Sequence, residues 1–400
     1  MSNENKENVQ LEFELDIEKQ QISNNERVVS EEKETEKENA EQISMENFDE
    51  FKSKFEKKKS SKYKILGYLL LFVLCAGVIV YTAYEDFSKG ELISFKDIIF
   101  TIGDNWFYLP LAFFCFFLTL FFAGLRMSVI LKKNTGKFRL GLSLKTATVG
   151  KFYDYVTPFG SGGQPFEIYN LHKNGIDMGT ATAVPLTSFF FGQVVFVILA
   201  IVSMIVRPPA ITDAVIIMAS VGLFFVLLVP VFIILFSLTP RLTSKIVAFI
   251  IRILGKLKIV KNVDEAITSS IKAISKNSKC IKTTVKSFWL TVLLFLISLA
   301  YHIAVCSIAY FTLKTFGYNL PADGFTEWLE MFFIAMILYS AVSFIPTPGN
   351  AGASEVTFYF VFVNNLAGGV GFTALMVWRF LSYYFYLITG ALAQISKKKK

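Results

Sequence analysis

Long apolar runs decide most of what this chain can become. Six of them, at about 65–84, 106–131, 180–206, 211–238, 287–314 and 371–394, carry at most one Asp, Glu, Lys or Arg each. Roughly 20 residues of apolar helix cross the ~30 Å hydrocarbon core of a bilayer. Only helices or closed barrels satisfy their backbone groups there. The 400-residue chain is 53% hydrophobic and 16% aromatic, with 42 Phe. That excess, gathered into runs, excludes a soluble enzyme, a secreted disulfide scaffold and a nucleic-acid binder.

The charges sort the connections. Residues 1–60 are rich in Glu, Lys, Asn and Ser and cannot bury a core, so they read as a disordered charged tail. No apolar stretch follows Met1, which speaks against a signal peptide. Lys52 to Lys64 form a basic cluster just before the first run, which puts the tail in the cytoplasm. Loop 85–105 is acidic and falls outside; loop 132–145 holds Lys132, Lys133, Lys137, Arg139 and Lys145 and falls inside. Segment 241–286 has eleven Lys or Arg against two acids and also falls inside. Lys397 to Lys400 close the chain on the same side, after a membrane body covering 61–396. The expected location is the cell membrane, multi-pass, with both termini cytoplasmic.

Two stretches, 143–176 and 327–366, do not read as simple spans. Each is a helical run, a Gly/Pro break and a shorter helical run. The breaks are Thr157-Pro158-Phe159-Gly160-Ser161-Gly162-Gly163-Gln164-Pro165-Phe166-Glu167 and Pro346-Thr347-Pro348-Gly349-Asn350-Ala351-Gly352-Ala353-Ser354-Glu355. Pro lacks an N–H and Gly costs backbone entropy, so both stop helices. At membrane depth a break is tolerated only inside protein or beside water. Both stretches therefore read as re-entrant helical hairpins. They share Thr-Pro, a Gly-x-x-Gly spacing and a following Glu, and by charge they enter from opposite faces. The expected fold class is an all-α polytopic membrane protein: about six spans plus two re-entrant hairpins related as an inverted repeat, the architecture of transporters with midplane sites.

The candidate site residues sit at these breaks. Glu355 could cap the short helix after Ser354 or face a cavity. Arg379, about eight residues into the last run, would lie roughly 12 Å deep. It needs a partner, either Glu355 in a fixed pair or an anionic head group held bidentately. Gly349 and Gly352 shape the second turn. Glu167 is the expected counterpart of Glu355, and Gln164 with the Gly162 and Gly163 amides could donate to a head-group oxygen. Lys151 and Asp154, three apart on one helix face, either line the cavity or neutralise each other. Tyr153 and Tyr155 read as interface anchors, Arg126 as a snorkelling structural residue, and His302 as a hydrogen-bonded bundle residue. Residues 241–260 read as an amphipathic helix on the anionic inner leaflet, with Leu242, Ile246, Phe249, Ile250, Ile253 and Leu257 on one face. With His172 and His302 far apart, no HExxH, no CxxC among Cys75, Cys115, Cys280 and Cys306, and no Walker A, GxGxxG or GxSxG motif, no metal, cofactor or catalytic residue is expected.

Gly162-Gly163-Gln164-Pro165 with Ile168-Tyr169, Pro346-Thr347-Pro348-Gly349 through Gly352 to Glu355, and Trp378-Arg379 with Tyr383-Tyr384 resemble the motifs of the lysylphosphatidylglycerol synthase transmembrane-region family, the flippase-like membrane domain of the multiple peptide resistance factor. The likeness covers about 62–395. The first motif departs from the Pro-x-x-x-Gly-Glu form of many members, because Gln164-Pro165-Phe166 separates Gly163 from Glu167. The resemblance implies movement of an (aminoacyl-)phospholipid between leaflets and a part in resistance to cationic antimicrobial peptides. The soluble domain that transfers lysine from lysyl-tRNA is expected to be absent after Lys400, so a separate synthase would supply the lipid. The alternatives are a phosphatidylglycerol lysyltransferase or a membrane scaffold for a separate lipid-modifying enzyme.

Overall fold

In the computed structural model, the described residues are 102–256, 262–321, 324–362, 366 and 370–395. The charged tail, the run at 65–84, most of the acidic loop after it, Leu257 and the terminal lysines lie outside them. The described residues form helices and no strands: α1 (Tyr108–Thr135), α2 (Leu140–Val156), α3 (Gly163–Lys173), α4 (Met178–Val206), α5 (Asp213–Leu238), α6 (Pro240–Lys256), α7 (Val263–Lys286), α8 (Phe288–Thr315), α9 (Gly324–Val342), α10 (Ala353–Phe362), α11 (Val370–Arg379) and α12 (Phe385–Ile395). A π-helical turn, Phe380–Tyr384, joins the last two into one rod.

Six of these rods are long and apolar enough to cross a membrane: α1, α4, α5, α8, α9 and the α11–α12 rod. Five coincide with apolar runs in the sequence. The sixth, α9, differs from the sequence reading, which assigned it to a hairpin limb. Its 19 residues reach about 28 Å, long enough to cross by itself. It also lies deep in the protein: 61% of its most apolar window is buried, against 17% for α5, which forms the rim. Phe224, Phe225 and Leu235 on α5, and Phe114 and Phe117 on α1, are exposed. A soluble protein would not tolerate such a belt.

Small residues set the packing distances. Ser340 of α9 donates its hydroxyl to the Ala219 carbonyl of α5 at 3.0 Å. A Cβ on Gly222 would stand 1.9 Å from the Ser340 carbonyl oxygen, so the two helices touch backbone to backbone. Gly124 lets α1 meet Leu144 of α2 in the same way. One apolar core gathers Phe116, Leu313, Ile337, Phe358, Phe362, Trp378 and Leu381 around the second break. Another gathers Met127, Ile130, Leu171, Val184, Phe191 and Leu294 around the first hairpin. At the foot of α9 the buried Glu327 holds the α8–α9 loop, accepting from Tyr310 (3.1 Å), Lys314 (3.2 Å) and the Leu320 amide (3.1 Å).

Segment 241–286 is a helical pair. Helix α7 packs against α4, α6 and α8. Asp177 ties it in: this N-cap residue of α4 accepts the Thr180 amide at 3.1 Å and pairs with Lys276 of α7. On α6, Leu242, Ile246, Phe249, Ile250 and Ile253 remain exposed.

Candidate functional site

Both sequence breaks form turns of similar construction. Thr157 precedes Pro158 and is extended (φ −110°, ψ 143°), and Thr347 precedes Pro348 and is extended too (φ −89°, ψ 148°). The proline ring forces this on the residue before it, so α2 stops at Val156, whereas α9 has already ended at Val342, ahead of Pro346. Each chain then makes one 3₁₀ turn, Pro158–Gly160 and Pro348–Asn350, and starts a short helix. The left-handed backbone at Gly349 (φ 58°) and Gly352 (φ 87°) suits residues without a Cβ. The two turns pack against each other.

A carboxylate fastens each turn, but not the expected pair. In the second, Glu355 Oε2 accepts the Gly352 amide at 2.8 Å and the Ser354 hydroxyl at 3.1 Å. A glutamate in the first turn reaching back to the N-cap amide is half of a capping box. In the first, Asp154 does this work from the preceding helix: its Oδ1 accepts the Gly163 amide at 2.9 Å. Glu167 is therefore not the counterpart of Glu355. It sits one position pair further into α3 and rests on Gly150, where a Cβ would lie 2.5 Å from its Oε1. The Gly162 and Gly163 amides, expected to face a ligand, turn inward instead, to Thr157 Oγ1 (2.9 Å) and to Asp154. A Cβ on Gly163 would stand 2.2 Å from Asp154 Oδ1, so the Gly-Gly pair serves close packing. Gln164 is half-buried beside them.

Arg379 meets Glu355 as the sequence suggested. Its Nε lies 2.7 Å from Glu355 Oε1, and its Nη2 donates to the Gly349 carbonyl at 2.9 Å. Arg379 is 4% exposed and Glu355 2%, so neither charge is solvated from bulk water. The guanidinium lies 4.6 Å from the Tyr383 ring centre. Tyr383 comes from the π turn, lies flat on Gly349, where a Cβ would be 2.1 Å away, and donates to the Tyr155 carbonyl at 3.3 Å. Tyr155 thus faces the interior against Tyr383 and Tyr386 and is no interface anchor. Tyr153 stacks on Phe166 and accepts from Gln394 at 2.7 Å.

Lys151 and Asp154 act on each other through space. Among the described residues no ion pair joins them, because Asp154 is turned to Gly163. The Lys151 ammonium instead stands 6.0 Å from the Tyr301 ring centre of α8. Arg126 does not snorkel. It points inward, donating through Nε to Ser188 (3.0 Å) and through Nη1 to Ser298 (3.1 Å), with its Cζ 5.6 Å from the same Tyr301 ring. Gly192 leaves room for it. His302 bonds the Gly192 carbonyl at 3.1 Å, a bundle residue as read. Sequence reasoning missed Arg126 and Tyr301 as members of the polar interior. A charge 20 residues into the apolar run 106–131 was the available signal for the first, but nothing local marks Tyr301.

A small apolar pocket adjoins the second hairpin, lined by Leu338, Tyr339, Val342, Thr357, Phe358 and Trp378 among others. No group of His, Cys, Asp and Glu able to hold a metal occurs among the described residues.

A family model described as the lysylphosphatidylglycerol synthase TM region matches residues 64–390. The chain belongs to this family. No curated protein matches it. With six membrane-crossing helices and a family match over the same stretch, this lysylphosphatidylglycerol synthase TM-region chain is a multi-pass membrane protein. Both hairpin turns, Arg126 and the Arg379–Glu355 pair all lie within the matched residues.

Proposed function

We propose that the protein moves a phospholipid, an aminoacylated one foremost, between the leaflets of the cell membrane, as a transporter and not an enzyme. The observation that carries this reading is the buried Arg379–Glu355 pair held between two broken hairpins whose turns meet. Buried ionisable groups inside a membrane bundle mark polar pathways, and interrupted helices line transporter sites. A head-group phosphate would compete with Glu355 for Arg379, and the Tyr155–Tyr383 contact would part to let it pass. Both termini are cytoplasmic in this reading, and a separate synthase provides any aminoacyl lipid.

Scrambling of labelled phosphatidylglycerol and lysyl-phosphatidylglycerol in proteoliposomes tests this. The wild-type protein should move label across the bilayer, and Glu355→Gln that folds normally should be slowed at least tenfold. Wild-type protein that moves neither lipid, or that makes lysyl-phosphatidylglycerol from lysyl-tRNA, would overturn it.

The exposed apolar face of α6, flanked by the exposed Arg241, Lys245 and Arg252, fits a helix lying on an anionic inner leaflet. Apolar burial and basic side chains both favour that placement.

A further inference from the structure

We infer that Arg126 and Lys151 form a clasp for a phosphodiester anion against the Tyr301 ring, separate from the Arg379–Glu355 pair. The inference deepens the lipid reading and rests on it only for the ligand's source. Two cations converge on one aromatic ring, at 5.6 and 6.0 Å from its centre. Cations gather on a ring face by quadrupole attraction, but two like charges there also repel. Neither has a carboxylate at ion-pair distance among the described residues. Arg126 spends Nε and Nη1 on the hydroxyls of Ser188 and Ser298; among the described residues Nη2 stays uncommitted and Lys151 makes no hydrogen bond. The acids nearest in charge terms are Glu167 and Asp154. Asp154 is turned to the Gly163 amide and Glu167 to Gly150.

Serine hydroxyls orient an arginine without balancing its charge, and Glu167 and Asp154 act on the two cations only through space; ionisable groups in a bundle interior are costly. An oxyanion between Arg126 Nη2 and the Lys151 ammonium would supply the contact partner that both lack among the described residues. Arg gives a planar pair of donors and Lys a movable point charge, the two means by which proteins hold phosphate. The same four helices α1, α2, α4 and α8 carry every group involved. Helix α11, which carries Arg379, contributes none.

The test uses the full chain, delipidated in neutral detergent, with bound lipid read by native mass spectrometry. Phosphatidylglycerol, diacylglycerol and inorganic phosphate are the three probes. The wild type should retain phosphatidylglycerol, not diacylglycerol, and millimolar inorganic phosphate should not displace it. Lys151→Gln and Arg126→Gln should each weaken retention at least tenfold, and Lys151→Arg should restore most of it. Lys151 makes no hydrogen bond among the described residues, so Lys151→Gln carries the test should Arg126→Gln fail to fold. Unchanged retention in a folded Lys151→Gln protein would overturn the clasp. Displacement by inorganic phosphate would overturn the lipid source. Retention is an equilibrium measurement: protein that holds phosphatidylglycerol through Lys151 yet scrambles nothing would sink the transport reading and leave the clasp standing.

Discussion

The Arg379–Glu355 pair fastens the second turn, and in the proposed transport it would also meet the head group, so single substitutions confuse the two roles. Removing one partner leaves the other as a buried unpaired charge, worth about 3–5 kcal/mol of destabilisation. Replacing both by apolar or neutral groups of similar volume is often close to neutral. Arg379→Ala should therefore lower the melting temperature of the purified protein strongly, while Arg379→Met combined with Glu355→Gln should recover most of it. Scrambling should stay lost in the double variant. A double variant as unstable as the single one would mean that the pair's hydrogen bonds to Gly349 and Gly352, not its charge balance, hold the turn. At this scale the sequence was partly legible. An Arg deep in an apolar run demands a partner, and Glu355 followed from the topology. Asp154 as the carboxylate of the first turn did not follow, because its acceptor role depends on how sharply residues 157–163 fold back, and no helical spacing encodes that. The inward course of Arg126 was equally hidden, since its serine partners lie 62 and 172 residues away.

Helix boundaries were the most legible feature. Apolar length placed five of the six crossing rods, and X-Pro with Gly placed both breaks. Helix α9 was under-read because Glu327 and Glu330 near its start lower its mean hydropathy. Yet Glu327 is buried and bonded to Tyr310, Lys314 and the Leu320 amide, contacts that only the folded loop supplies. The joint between α4 and α7 carries a pH signature. Partial burial works to raise the carboxyl of Asp177, but hydrogen bonds from Lys276 and Thr180 outweigh it and hold it below the usual carboxylate range. A carboxyl depressed in the folded state contributes stability above its unfolded value of about 3.9, and that contribution is lost as pH falls through the folded value. Melting curves of wild type and Asp177→Asn, which keeps a capping side chain, should differ near neutral pH and converge below about pH 4. A constant gap would assign the joint to packing alone. For α6, the triple change Arg241→Gln, Lys245→Gln and Arg252→Gln should abolish enrichment of anionic lipid around the protein in mixed vesicles. Enrichment that survives it would place the lipid contact elsewhere.

Across the whole molecule, the orientation of the two hairpins decides between a transporter and a simple bundle. In the proposed topology the α1–α2 connection lies inside and the α8–α9 loop outside. Cysteines introduced at Lys137 and Asn319 in a cysteine-free background should be labelled by an impermeant maleimide from opposite sides of intact cells, Asn319→Cys from outside. Labelling of both from the same side would reverse the second hairpin and remove the inverted relation. The two apolar cores, one around each hairpin, were not legible in the sequence. They assemble from helices far apart in the chain, and every run looks alike in hydropathy. Legible instead was the repeated Thr-Pro-to-Glu pattern, because backbone chemistry at a break is local.

The widened turn at Phe380–Tyr384 changes what one rod can touch. On a regular helix, positions 379 and 386 would return to nearly the same side, since 3.6 residues complete a turn. Here Arg379 reaches Glu355 and Gly349, while Tyr386 reaches Thr119 and Tyr155. The rod has in effect slipped its phase halfway along, and it serves a different hairpin with each half. Deleting a single residue between 380 and 384 would restore an unbroken helix and force it to choose which of its two partners to abandon.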